Sequence, residues 1–113
     1  MTSAEPRRDF SVPIRVDVRR ANGTESREFA TNLSPRGLCI HTQEVLAIGE
    51  NVQLRFELPP SGPQIETRGS VIWTDRRDEG EARFWETGLR LDVDDSTWAK
   101  LQEWASQPTD RRR

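Results

Sequence analysis

From residue 12 the chain alternates strictly, with Val12, Ile14, Val16 and Val18 on one face and Pro13, Arg15, Asp17 and Arg19 on the other. A period of two marks a half-buried strand, because successive side chains of an extended backbone point to opposite faces. Asn22-Gly23 then predicts a turn, since both residues tolerate positive φ. A second strand is expected over residues 26–30 with Phe29 facing in, and a third over residues 38–42. Gly49-Glu50-Asn51 predicts another turn, after which Val52, Leu54, Phe56 and Leu58 alternate cleanly as a fourth strand. Pro59, Pro60, Gly62 and Pro63 break it, since proline offers no ladder donor and fixes φ. Ile65, Thr67, Gly69, Val71 and Trp73 share one face of a fifth strand, and Trp85, Leu89, Leu91 and Val93 mark a sixth. The charged residues 75–83, with Gly80 among them, are expected to form a solvated hairpin connection between these two.

Past Asp94 the period lengthens. Asp94, Asp95 and Ser96 offer helix caps, and their acidic groups suit the positive end of a helix dipole. Trp98, Leu101 and Ala105 recur at helical spacing, with Trp104 beside them as the most exposed tryptophan, and Pro108 stops the helix. Six short strands and one helix predict a mainly β fold, a six-stranded antiparallel barrel capped by a C-terminal α-helix. The expected layout is a flexible arm over residues 1–11, the barrel with its helix over residues 12–107, and a basic tail over residues 108–113.

Composition narrows the setting. A chain of 113 residues, about a third hydrophobic and a third charged, suits one domain with a modest core. No run approaches the ~18 apolar residues that a membrane span needs, and the polar start has no signal-peptide character. The single cysteine, Cys39, allows no internal disulfide, which suits a reducing compartment, so the cytoplasm is expected. A net charge of −2 and a pI near 5.5 give no global attraction for DNA or RNA, and neither is expected as a partner. The cations are nonetheless lopsided, with sixteen arginines and one lysine. Arginine's flat fork suits phosphate and guanine. A GC-rich genome produces the same bias, so each arginine is judged by its position.

The inventory for catalysis is thin, and the chain does not read as an enzyme. One histidine and one cysteine exclude His/Cys metal cages by counting. Cys39 and His41 share a strand face, which reads as a packed thiol beside an edge imidazole rather than an activated nucleophile. No glycine-rich phosphate loop is present, and no metal or cofactor is expected. The periodicity accounts for Trp73, Trp85 and Trp98 as core rather than as platforms for bases.

Core packing leaves two segments unexplained: the Arg7-Arg8 arm and Asn32-Leu33-Ser34-Pro35-Arg36-Gly37. Their types and order resemble the PilZ family of bacterial cyclic di-GMP receptors, which pairs an N-terminal RxxxR with a later [DN]xSxxG. The loop fits the second motif at all three fixed positions. The likeness extends to the Gly49 turn, Gly69-Ser70-Val71-Ile72-Trp73, Gly88-Leu89-Arg90-Leu91 and the closing helix, over roughly residues 5 to 105. The resemblance implies Arg7, Arg8, Asn32, Ser34 and Gly37 as ligand positions, with Arg36 as a candidate substitute. Counting from Arg7, however, Ser11 stands where the second arginine belongs, and counting from Arg8 the core position Val12 does, so the second arginine is missing either way. Losing one charged hydrogen-bonding group predicts roughly 10- to 150-fold weaker binding.

The resemblance therefore implies a signalling domain that acts chiefly by binding a regulatory or motility-related protein, with cyclic di-GMP affinity weakened or lost. The alternative is a working cyclic di-GMP receptor using Arg7, Arg8, Asn32 and Ser34. Processes governed by such domains include motility, polarity, pili and exopolysaccharide. Either a monomer or a homodimer is compatible with the sequence.

Overall fold

The computed structural model describes residues 8–59 and 62–106, with side chains from residue 13 onward. Six strands run in chain order as β1 (Arg8–Arg20), β2 (Glu25–Ser34), β3 (Gly37–Thr42), β4 (Asn51–Glu57), β5 (Gln64–Glu79) and β6 (Ala82–Asp92), followed by helix α1 (Asp95–Ser106). They close into an antiparallel barrel in the order β1-β2-β3-β6-β5-β4, with β4 pairing back onto β1. Closure removes the unpaired sheet edges that an open sheet of this size would expose.

The alternating residues behave as their period demands. Val16, Val18, Val52, Leu54, Phe56, Ile65, Leu89 and Leu91 all point into the barrel and are buried. Burying each such side chain contributes about 1.5–3 kcal/mol. The β3–β4 connection is tied down by Arg20, whose guanidinium meets Glu50 at 2.6 and 2.9 Å. That pair holds the Glu50 carboxyl below its ordinary range. Backbone bonds from Gly49 N–H to the Val71 carbonyl (2.7 Å) and from Val71 N–H to the Glu50 carbonyl (3.0 Å) complete the attachment.

Cross-strand register overturns several expectations. Val16 faces in, so its partner Glu28 also faces in, while Phe29 is paired with the outward Arg15 and lies 52% exposed. Phe29 is therefore a surface residue, and Glu28 occupies the inward position. Burial pushes the Glu28 carboxyl up, opposed by hydrogen bonds from Ser26 and the Gln43 backbone. In β5, Val71 pairs with Leu89 but Trp73 pairs with Gly88, leaving Ile72 as an extra residue. This bulge reverses the alternation and turns Trp73 out of the core, to 40% exposure.

Residues 75–83 form the expected solvated hairpin, with the strands running almost to its tip. β5 continues to Glu79 and β6 resumes at Ala82, with Gly80 at φ 61° opening the two-residue turn between them. Glycine at the first central position suits a type II′ hairpin. At the other end, β1 starts at Arg8, four residues before the alternation, so the expected arm overlaps the barrel. Met1 to Arg7 and the basic tail lie outside the described residues.

The helix turns a different stripe inward. Asp94 caps it, its carboxylate accepting from Thr97 N–H at 2.7 Å, which lowers its pKa. The buried residues are Leu101, Trp104 and Ala105, at i, i+3 and i+4. Trp104 is thus buried, its indole Nε1–H donating to the Pro59 carbonyl at 2.8 Å, while Trp98 and Trp85 are half-buried. That hydrogen bond draws Trp104 toward the barrel.

Candidate functional site

The segment Asn32-Leu33-Ser34-Pro35-Arg36-Gly37 is mostly strand: Asn32 to Ser34 finish β2, Gly37 opens β3, and only Pro35 and Arg36 form the turn. Leu33 is fully buried and Pro35 nearly so, which pins the hairpin to the barrel. Arg36 is exposed, and its carbonyl accepts from Leu91 N–H at 2.8 Å, so β6 holds the turn in place. A second bulge matters here: Ala30 pairs with Ile40 but Asn32 with Cys39, which makes Thr31 the extra residue. Without it Asn32 would face inward and Leu33 outward; with it Leu33 enters the core and Asn32 reaches the outer face.

The register then places the motif residues in two adjacent rows across the outer face. One runs Asn32, Cys39, Gly88, Trp73 across β2, β3, β6 and β5. The next runs Ser34, Gly37, Arg90, Ser70 across the same strands and ends at Asn51 on β4. Neighbouring strands lie about 4.8 Å apart and same-face residues along a strand about 7 Å apart. Asn32, Ser34 and Gly37 thus form one corner of a shallow floor, with Trp73 and Arg90 beyond it.

Two glycines keep that floor low. The Trp73 indole lies over Gly88, where any Cβ would overlap its ring. Gly37 is different: it has no positive φ, and a Cβ there would meet only the Leu89 carbonyl at 3.5 Å and Ser34 Oγ at 3.6 Å, ordinary contacts. The fold therefore does not require glycine at 37, whereas a flat ligand seated on the strand does benefit from one.

β1 borders this floor. Arg8 pairs through its backbone with Leu33, and Asp9 with Asn32, so the start of β1 runs beside the motif. Between Asp9 and Ile14 the register slips, five steps along β1 matching two along β2. Arg7 lies outside the described residues, as do the side chains of Arg8 and Ser11.

A third outer row adjoins the first: Arg15, Phe29, His41, Glu86 and Asp75. His41 stacks on Phe84 at 4.4 Å, and Arg77 bonds Glu86 at 2.9 Å and Asp75 at 3.4 Å. These charges neutralise one another. So do those lining a concavity of about 720 Å³ across β1, β4 and β5, where Arg55 meets Asp17 at 3.3 Å and Arg68 meets Asp92 at 3.5 Å. No group of His, Cys, Asp or Glu suited to a metal ion occurs among the described residues.

Trp73 and Arg90 are the residues of this outer face that sequence reasoning did not place there. The alternation of Leu89 and Leu91 already pointed Arg90 outward, but nothing in the chain announced that β3 pairs with β6. Trp73 was hidden by the bulge at Ile72.

The molecule is a small closed barrel with a polar and aromatic outer face. The PilZ domain profile matches residues 2–107, and the chain belongs to the PilZ domain family, a class of signalling and binding domains. Solved structures agree in fold. The inhibitor of motility MotI/DgrA of Bacillus subtilis superposes with a TM-score of 0.72 at 19% identity, over 93% of this chain and 50% of that one. The PilZ domain of YcgR from Escherichia coli, solved with c-di-GMP, gives 0.74 at 16% identity, over 90% and 87%. The K. pneumonia MrkH–c-di-GMP complex gives 0.77 at 12% identity, over 91% and 50%. The chain spans about half the length of MotI/DgrA and MrkH. No curated protein matches the sequence.

Proposed function

We propose that this chain is a cytoplasmic PilZ-type adaptor that holds cyclic di-GMP weakly on the face bearing Asn32, Ser34 and Gly37 and passes the signal to a regulatory or motility-related protein. The observation that carries the reading is the convergence of those three residues on one outer corner, with a glycine at 37 for which the fold has no need. Asn32 offers a donor and an acceptor, Ser34 a hydroxyl, and Arg7 and Arg8 the guanidiniums suited to phosphate or guanine. The presence of c-di-GMP in the YcgR and MrkH structures supports the ligand class, and the name of MotI supports the process. Ser11 in place of arginine accounts for the weakness. The partner reading is supported by Phe29 and Ile72, which stand 52% and 48% exposed beside this face.

Calorimetric titration of cyclic di-GMP tests the ligand half of the proposal. The expected result is saturable binding weaker than micromolar, tightened by Ser11→Arg and removed by Asn32→Ala or Ser34→Ala. Submicromolar binding by the unmodified chain overturns the adaptor reading in favour of a dedicated nucleotide receptor. Absence of binding by both the unmodified chain and Ser11→Arg removes the ligand altogether.

A further inference from the structure

The floor beside Gly37 has a cation on its far side. Arg90 is the cross-strand partner of Gly37 on one side and of Ser70 on the other, about 5 Å from each strand. It is exposed, and Leu89 and Leu91 point inward on either side of it, so its side chain stands on the outer face. Its neighbours in that face are Gly37, which has no side chain, Ser70, and Gly88, over which the Trp73 indole lies. Its row (Ser34, Gly37, Arg90, Ser70, Asn51) contains no carboxylate. Asp92, the nearest acid along β6 on the same face, is paired with Arg68 at 3.5 Å, and Ser70 donates its hydroxyl to Asn51 at 3.0 Å. Among the described residues no ion pair involves Arg90. Several other outward arginines, by contrast, meet carboxylates: Arg19 with Glu25, Arg55 with Asp17, Arg77 with Glu86.

From this placement we infer that Arg90 supplies the guanidinium that Ser11 does not, approaching a cyclic dinucleotide from the β6 side of the floor. The inference rests on the cyclic di-GMP reading above. A ligand lying over Gly37 and against the Trp73 indole sits between β1 on one border and Arg90 on the other. The two phosphates and the guanine O6/N7 edges are all acceptors that a planar guanidinium can engage with two parallel bonds. An arginine on β6 can therefore replace one on β1 without any change in the floor between them. The replacement is partial, since a guanidinium added at position 11 meets the ligand from the β1 side as well.

The test is a double-mutant cycle read by calorimetry with cyclic di-GMP as titrant and thermal melts as the control for folding. Arg90→Ala is expected to weaken binding roughly 10- to 150-fold. Arg90→Lys, which keeps the charge but not the fork, is expected to fall between. Ser11→Arg is expected to tighten binding more in the Arg90→Ala background than in the unmodified chain, because there it restores a contact that Arg90 otherwise supplies. Arg90→Ala within twofold of the unmodified chain overturns the inference and leaves the ligand reading intact. So does binding by Ser11→Arg when the unmodified chain shows none. Absence of binding by every variant overturns both together.

Discussion

Replacing Gly37 by alanine adds one methyl to the outer face between Ser34 and the Leu89 carbonyl. Its nearest neighbours would be 3.5 and 3.6 Å away, which is van der Waals contact rather than overlap. Gly37 has no positive φ, so alanine adopts its backbone without strain. The unfolded chain, however, loses freedom when glycine becomes alanine, which stabilises a compatible site by about 0.4–1 kcal/mol. The melting temperature should therefore stay level or rise by a few degrees. Binding should move the other way. A methyl thrust into a well-packed contact costs about 1–3 kcal/mol, so a ligand seated on Gly37 loses roughly 5- to 150-fold in affinity. Thermal melts and titration of cyclic di-GMP on the same preparation read both quantities. A variant that is more stable and binds less shows that glycine at 37 serves the ligand. Unchanged affinity, or a drop in stability of more than about 1 kcal/mol, refutes the reasoning that assigns this glycine to ligand rather than fold.

Three more outcomes follow from the geometry. Gly88→Ala should dislodge the Trp73 indole into solvent, seen as a red shift in tryptophan emission. It should weaken cyclic di-GMP binding about as much as Trp73→Ala does, by the ~1–3 kcal/mol typical of base stacking; normal binding in both variants would dismiss Trp73 as a platform. Trp104→Phe leaves the Pro59 carbonyl without its buried donor and should cost about 1–3 kcal/mol in denaturant titration, and a negligible change would show that the indole hydrogen bond does not hold α1. Glu28 is pushed above its ordinary range by burial, so the folded state binds its proton more tightly than the unfolded chain. Its contribution is therefore fully present below the unfolded pKa of about 4.3 and is lost as pH rises through the folded value. Glu28→Gln should accordingly raise the melting temperature at pH 7 and make little difference at pH 4; a larger gain at pH 4 would contradict the assignment.

The alternation of Val12 to Val18, Val52 to Leu58 and Leu89 to Val93 was enough to place strands β1, β4 and β6, because burial on one face forces a period of two wherever the strand runs unbroken. The same residues, with the proline cluster after Leu58 and the Asp94 cap, carried the mainly β architecture and its closing helix. The motif at Asn32, Ser34 and Gly37 was equally visible, as was the serine at position 11. Phe29 and Trp73 were misplaced for a common reason. Inside or outside for Phe29 depends on its partner Arg15, and for Trp73 on a bulge at Ile72. Neither pairing nor bulge leaves a mark in local composition. Within the hairpin of residues 75–83 the extent of the strands was not legible, since two charged strands paired only with each other have no buried face and hence no apolar alternation.

By itself, then, the sequence determined which stretches extend, which turn, and which three motif residues have no part in the core. These are local properties, set by side-chain volume, polarity and permitted φ. Only the tertiary structure decided that β3 lies against β6 and that bulges at Thr31 and Ile72 bring Asn32 and Trp73 onto the same outer row. It likewise decided that Arg90 stands across from Gly37. Those relations join residues far apart in the chain. They depend on how six strands share one closed ladder of hydrogen bonds, and a single inserted residue reverses which face each side chain takes.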